Sequence, residues 1–238
     1  DREPEDFDVA TDAPPERVRE IFGTRRTYPV GAAFGVILVR EADESGTVEV
    51  ATFRSEGPYT DGRHPDHVTF ATVEDDAARR DFTINGMFLD PCQDGLEGLI
   101  DLFGGQDDLL QNHVVRAIGN PEDRFAEDKL RMLRAVRFAA MLGFQIDPET
   151  LEAIRRCADQ IEVVSAERIA IEWKRMLIDP GRCRALELAD EAGLLEVVFP
   201  ELARVDRQSL QQRLGCLDDV SFPLALAALL LECPDVEA

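Results

Sequence analysis

The stretch Glu5-Asp-Phe-Asp-Val-Ala-Thr-Asp12 sets two aspartates one residue apart. If residues 6–10 are extended, side chains two apart share a face, so Asp6 and Asp8 point the same way with Phe7 buried behind them. Two carboxylates so placed suit a divalent metal. A hard ion such as Mg²⁺ takes oxygen ligands, keeps several waters and completes its shell with substrate phosphates, which makes the pair a candidate nucleoside-triphosphate site. The competing reading is an acidic turn ahead of a helix in an acidic protein. Glu49, between Val48 and Val50, faces away from both. It is a candidate third carboxylate from a neighbouring strand, or else a solvated residue on an amphipathic one.

A second cluster is Glu74-Asp-Asp-Ala-Ala-Arg-Arg-Asp-Phe-Thr-Ile-Asn85. A guanidinium here can fork onto triphosphate or ribose oxygens, although Arg79 and Arg80 could equally answer Asp75, Asp76 and Asp81 in a surface ion-pair cluster. The third cluster runs from Phe125 to Ala140. On a helix advancing about 100° per residue, Phe125, Met132, Leu133, Val136 and Ala140 form a core arc. Asp128, Arg131, Arg134 and Arg137 wind along the opposite side as a slanted row, with Lys129 out of place on the core side. An Asp beside an Arg is selective for bases. The carboxylate accepts from the exocyclic amine of cytosine or adenine and the guanidinium donates to a ring nitrogen or carbonyl on the same edge, whereas uracil and guanine present mismatched groups. The alternative is an i,i+3 ion pair on a solvated helix face.

These residues need elements to hold them. Residues 35–39 and 47–53 read as two strands that pair as neighbours, and residues 13–22, with prolines near the first turn, read as a helix between the first strand and these two. Beyond about residue 120 the pattern turns helical, over 123–142, 148–161, 166–177, 183–192 and 222–232, each bounded by Gly, Pro or Asp. The fold class is α+β, a mixed-sheet head followed by an all-helical second half.

The 238 residues are 45% apolar, enough for buried cores, and carry a formal charge of −22. That charge makes indiscriminate phosphate or anionic-lipid binding a poor default, so a nucleic acid must be held by local basic patches. Candidates are Arg155-Arg156, Arg168, Lys174-Arg175 and Arg182 with Arg184, all scattered among acids. No apolar run approaches the roughly 20 residues that span a bilayer, and the start lacks a signal-peptide pattern, so the expectation is a cytoplasmic protein with no membrane partner. The five cysteines are widely spaced without a C-x-x-C pair, which argues against a disulfide framework or a structural zinc site.

Taken together, Asp6-Phe-Asp8, Arg79-Arg-Asp-Phe-Thr-Ile-Asn85, Asp101-Leu-Phe-Gly-Gly105 and Glu127-Asp-x-x-Arg131-Met-Leu-Arg-Ala-Val-Arg-Phe138 resemble, in order and spacing, the class II tRNA nucleotidyltransferases (CCA-adding enzymes) and their bacterial poly(A) polymerase relatives. The resemblance covers about residues 5–205. It implies a nucleotidyltransferase head over 1–118, a nucleotide-reading helical neck over 119–180 and a tRNA-binding helical body over 181–238. It further implies that Asp6 and Asp8 are catalytic metal ligands for Mg²⁺. Arg80, Asp128, Arg131, Arg134 and Arg137 are implied to contact ATP and CTP, and tRNA is the implied partner. Met87, His64 and the segment 59–66 fall where the family has a mobile loop, whose full length favours an enzyme that proceeds to the final A. The family's Gly-Gly-x-Val-Arg-Asp segment would precede residue 1 and more body would follow residue 238. Residues 27–35 look more like the CCA type than the basic segment of poly(A) polymerases, which together with A-only and CC-only enzymes remain the alternatives.

Overall fold

The computed structural model describes residues 7–41, 46–57 and 67–231. Asp6, His64 and the segment 59–66 lie outside them. The chain divides into two compact units, Asp1–Arg80 and Asp81–Ala238.

The first unit is built on a four-stranded mixed sheet. Its strands are β1 (Asp8–Thr11), β2 (Thr27–Gly31), β3 (Val36–Arg40) and β4 (Thr47–Thr52), in the order β1-β4-β3-β2. β1 runs parallel to β4 and the other neighbours are antiparallel. The expected pairing of residues 35–39 with 47–53 is present, with Leu38 opposite Glu49. The expected helix is α1 (Pro15–Phe22), whose Val18 packs with Ile37, Val39 and Val50 in a small core. Alternation along β3 and β4 puts those three on the helix-covered face. Phe7 was expected behind the aspartates but is 69% exposed. The unit ends with the antiparallel pair β5 (Arg54–Glu56) and β6 (Val68–Phe70), then α2 (Val73–Ala78), which Thr72 and Asp75 start with a reciprocal capping box.

The second unit begins with short elements: β7 (Phe88–Leu89) pairs with β8 (Leu99–Ile100), followed by α3 (Gly105–Asp107), a π-turn over Asp108–Asn112, and β9 (Val114–Val115). Then come α4 (Pro121–Glu127), α5 (Leu130–Leu142), β10 (Gln145–Ile146), which pairs with β9, and α6 (Pro148–Cys157). The helices α7 (Ala166–Ile178), α8 (Arg182–Glu191), α9 (Leu194–Val198), α10 (Arg207–Gly215) and α11 (Phe222–Leu230) complete it. One continuous core runs from Phe82 and Phe125 through Leu133 and Val136 of α5, Trp173 and Met176 of α7 and Leu186 of α8 to Leu229 of α11. Among the described residues no helix is long and apolar enough to cross a membrane.

Two of the expected helices take a different course, and α2, α9 and α10 are helices that the sequence reading did not place. The helix expected over 123–142 breaks at Asp128, which is extended at φ −147° and ψ 108°. Its carboxylate accepts the Leu130 backbone N–H at 3.0 Å, a bond that a short acidic side chain makes in competition with the helix ladder. The helix expected over 148–161 ends as an α-helix at Cys157 and tightens into a 3₁₀ turn through Val163.

The row of charges also leaves the outer face before its end. Arg137 is 6% exposed, and its Nε donates to Glu172 Oε2 of α7 at 2.5 Å while its guanidinium lies 4.1 Å from the Phe138 ring. A charge so placed needs its partner, because either one alone would be left poorly solvated. Where α3 approaches the turn at Thr83, a second network forms. Thr83 Oγ1 and Arg116 Nε donate to Asp108 Oδ2 at 2.8 and 3.0 Å, and Arg116 Nη1 donates to Asp147 at 2.7 Å. Burial pushes the Asp108 carboxyl up, but hydrogen bonds from Arg116, Asn112 and Thr83 and the Arg116 charge outweigh it and hold the group below its ordinary value.

Glu172→Ala, which strands Arg137, is expected to cost about 3–5 kcal/mol in urea denaturation, and combining Arg137→Met with Glu172→Leu to recover most of that loss. Because the folded Asp108 pKa is depressed, its contribution is present above the unfolded value and lost as pH falls through the folded one. The stability gap between wild type and Asp108→Asn should therefore stay level from pH 7 down to about pH 4 and narrow as pH falls further, through the folded value.

Candidate nucleotide site

In the first unit the register of β1 on β4 sets Asp8 directly beside Glu49. Paired neighbours in a parallel ladder point to the same side, and adjacent strands lie about 4.8 Å apart. Val9 and Val50, also paired, occupy the alternate positions, with Val50 buried in the α1-facing core. Asp8 and Glu49 thus share the face that α1 does not cover, and both are exposed. Two carboxylates side by side on an open face fit a hard cation that takes its remaining ligands from water and phosphate. No group of three metal-ligating side chains occurs among the described residues.

Arg80 sits just past the end of α2. Its Nε and Nη2 both donate to Asp76 Oδ2 at 3.3 Å, while Arg79 donates to Asp76 Oδ1 through Nε at 3.0 Å and Nη2 at 2.8 Å. The side chain of Arg80 keeps a third of its surface exposed, at 33%. Both arginines thus meet Asp76, one of the three acids of the ion-pair reading, but as a buried carboxylate and not on the surface, while Asp75 caps α2 and Asp81 meets Arg134.

Asp81, the next residue in the chain, takes a different set of donors in the second unit. Its Oδ1 accepts from the Phe82 backbone at 2.9 Å and from Asn85 Nδ2 at 3.0 Å, and its Oδ2 accepts from Arg134 Nε at 2.7 Å. These bonds tie Asn85 and the distant Arg134 to Asp81 beside the buried Phe82. The Asp101-Leu-Phe-Gly-Gly105 motif is likewise a local device. Burial would raise the Asp101 carboxyl, but the backbone N–H groups of Gln106, Gly105, Phe103 and Gly104 converge on it and hold it below the usual carboxylate range. Gly105 has no substitute there, since a Cβ would lie 2.2 Å from the Thr83 carbonyl oxygen.

Asp128 and Arg131 stand at the junction of α4 and α5, each already held by another side chain. Arg168 of α7 forks onto Asp128, with Nη2 to Oδ2 at 2.6 Å and Nη1 to Oδ1 at 3.2 Å. Arg131 Nη1 donates to Glu127 Oε2 at 2.5 Å and to the Arg124 carbonyl at 3.2 Å. The structure brings Asp128, Arg131 and Arg134 to one partly exposed edge of the second unit and places Arg137 inside it. The supports were not legible as a group. Glu127 lies in the quoted motif, but Arg168 is 40 residues from Asp128 and Asp81 is 53 from Arg134, with no local pattern to connect them.

The other expected basic positions are mostly engaged. Arg155 pairs with Glu191, Arg156 with Glu122, Arg175 with Glu172 and Arg184 with Glu187, while Arg182 donates to the carbonyls of Leu214 and Leu217. Lys174 is exposed.

Comparisons with known proteins agree with this architecture. The "Poly A polymerase head domain" family matches residues 1–116, and the family described as "Probable RNA and SrmB- binding site of polymerase A" matches residues 143–205. The chain is similar to the CCA-adding enzyme of Streptococcus gordonii, 42% identical over 230 residues that make up 95% of this chain and 55% of the relative. Among solved structures it resembles the CCA-adding enzyme of Bacillus stearothermophilus in complex with CTP, with a TM-score of 0.72 and 33% identity over 95% of this chain and 60% of that one. It also resembles a tRNA nucleotidyltransferase complexed with a primer tRNA and an incoming ATP analog, with a TM-score of 0.69 and 25% identity over 100% of this chain and 69% of that one. The chain spans about half the length of the curated relatives it matches. A head with a carboxylate pair on its open sheet face, a helical half with an Asp/Arg edge, and two family matches in the corresponding order lead to one conclusion: the chain belongs to the family of class II tRNA nucleotidyltransferases and bacterial poly(A) polymerases.

Proposed function

We propose that this chain carries the nucleotide-handling part of a CCA-adding tRNA nucleotidyltransferase, which joins C and A to the 3′ end of tRNA from CTP and ATP without a nucleic-acid template. The observation that carries the reading is the Asp8–Glu49 pairing in a head whose similar curated relatives are CCA-adding enzymes. Residues 1–118 act as the head, 119–180 as the nucleotide-reading neck and 181–238 as part of the tRNA-binding body.

Asp8, Glu49 and Asp6 would hold Mg²⁺, which when bound supplies charge neutralisation for attack of the tRNA 3′-hydroxyl on the α-phosphorus and departure of pyrophosphate. Arg80 presents its guanidinium to triphosphate or ribose oxygens, where a fixed fork of donors outperforms a point charge. Asp128 and Arg131 read the base: the carboxylate accepts from the exocyclic amine of C or A and the guanidinium donates to the adjacent ring atom. Glu127 fixes Arg131 and Arg168 fixes Asp128, so neither side chain has to be ordered when a nucleotide arrives. Arg134, held by Asp81, flanks them. Arg137 acts from inside the helical unit, by tying α5 to α7 through Glu172, and not by touching a nucleotide.

Full-length protein given CTP, ATP and tRNA lacking its 3′ end should restore C, C and A and stop; long adenylate tracts made without CTP would assign it to the poly(A) polymerases instead. Asp8→Ala should lower turnover by about 10³-fold or more, and Glu49→Gln should lower it and raise the Mg²⁺ concentration needed for half-maximal rate. Asp128→Ala should leave Mg²⁺-dependent pyrophosphate release measurable but cut discrimination between C or A and U or G by about 10–100-fold in single-nucleotide incorporation. Unchanged selection in that variant would remove Asp128 from base reading.

A further inference from the structure

Asp76 is the most enclosed carboxylate of the first unit among the described residues, at 2% exposure, and three residues from two segments, Arg54 of β5 and Arg79 and Arg80 after α2, converge on it. The Arg54 backbone N–H donates to its Oδ1 at 3.1 Å, Arg79 donates to the same oxygen through two nitrogens, and Arg80 takes Oδ2 through two more. Glu56 adds a second acceptor. Its Oε1 accepts from Arg79 Nη1 at 2.9 Å and from Arg54 Nε and Nη2 at 3.0 and 2.8 Å. The arrangement follows from α2: Asp76 is three residues before Arg79 and four before Arg80, the two spacings that bring side chains together on one helical face. The capping box at Thr72 and Asp75 fixes where the helix starts, and so where Asp76 stands.

We propose that Asp76 is a positioning residue for nucleotide binding, holding the Arg80 guanidinium in the orientation that meets the triphosphate. The inference rests on the reading of Arg80 as a nucleotide contact. Nearly every rotamer of a long arginine is available at an exposed helix end, and confining it costs entropy each time a ligand binds. A buried carboxylate beneath it removes that cost beforehand, because the Asp76 charge is balanced by the guanidiniums it grips, with the Arg54 backbone N–H as a further donor. Arg79 serves as the inner brace, since it bonds Asp76 and Glu56 together and is the less exposed of the two arginines, at 22% against 33%.

The test is a double-mutant cycle on the full-length protein, with CTP affinity measured by titration calorimetry in Mg²⁺ and folding followed by the denaturation midpoint. Asp76→Asn keeps the shape and an acceptor for the Arg54 N–H but loses the charge. It should weaken CTP binding by about tenfold when Arg80 is present and by less than about twofold in an Arg80→Ala background. A carboxylate that only stabilised the fold would lower the denaturation midpoint equally in both backgrounds and leave the two CTP penalties alike, and that result overturns the proposal. So does wild-type CTP affinity in Asp76→Asn while Arg80→Ala binds weakly. Arg80→Ala binding CTP like wild type would instead remove the reading of Arg80 itself, and the proposal with it. If Asp76→Asn does not fold, Asp76→Glu, which keeps the charge at a longer reach, takes its place in the same cycle under the same criteria.

Discussion

A buried or half-buried charge survives in a protein interior only with an opposite charge against it, and in this chain that requirement is met by arginine forks gripping carboxylates. Asp76 with Arg79 and Arg80, Asp81 with Arg134, Asp108 and Asp147 with Arg116, Asp128 with Arg168, and Glu172 with Arg137 each join segments that the sequence keeps apart or turn a helix end to a fixed direction. A chain with 48 acidic against 26 basic residues has acids to spare, so its arginines are readily occupied. The same pairing that stabilises the fold therefore holds candidate nucleotide ligands still.

The sheet in the first unit makes a different kind of contribution. Its register is enforced by burial of Ile37, Val39 and Val50 under Val18 of α1, since a slip by one residue would turn those side chains out to solvent. On the opposite face, the separate parallel ladder of β1 on β4 sets Asp8 beside Glu49. Burial of Val50 on one side of β4 thus turns Glu49 to the other, where backbone pairing brings Asp8 to it.

The expected basic surface for RNA takes a modified form. Arg155, Arg156, Arg175 and Arg184 each lean on an acid, which lowers the free positive charge that a phosphate backbone would meet. An RNA backbone meeting such positions would exchange one anionic partner for another, and so would depend more on geometry than on bulk attraction.

The alternation in residues 35–39 and 47–53, the prolines opening α1 and the apolar spacing of α5, α7 and α8 were legible because period and capping are local properties of a chain. So was Glu49 as a candidate third carboxylate beside Asp6 and Asp8, together with the order of motifs that resembles one enzyme family. Local pattern could not show that Asp128 interrupts a helix, because that outcome turns on one side chain competing for a backbone N–H. Nor could it show that Arg137 points inward to Glu172 while Arg134, one turn earlier, stays at the edge against Asp81. Sequence determined which residues carry charge and which faces must be buried. Only the tertiary structure decided which acid each arginine meets, because those partners lie up to 53 residues apart and are brought together by packing that no short window of sequence contains.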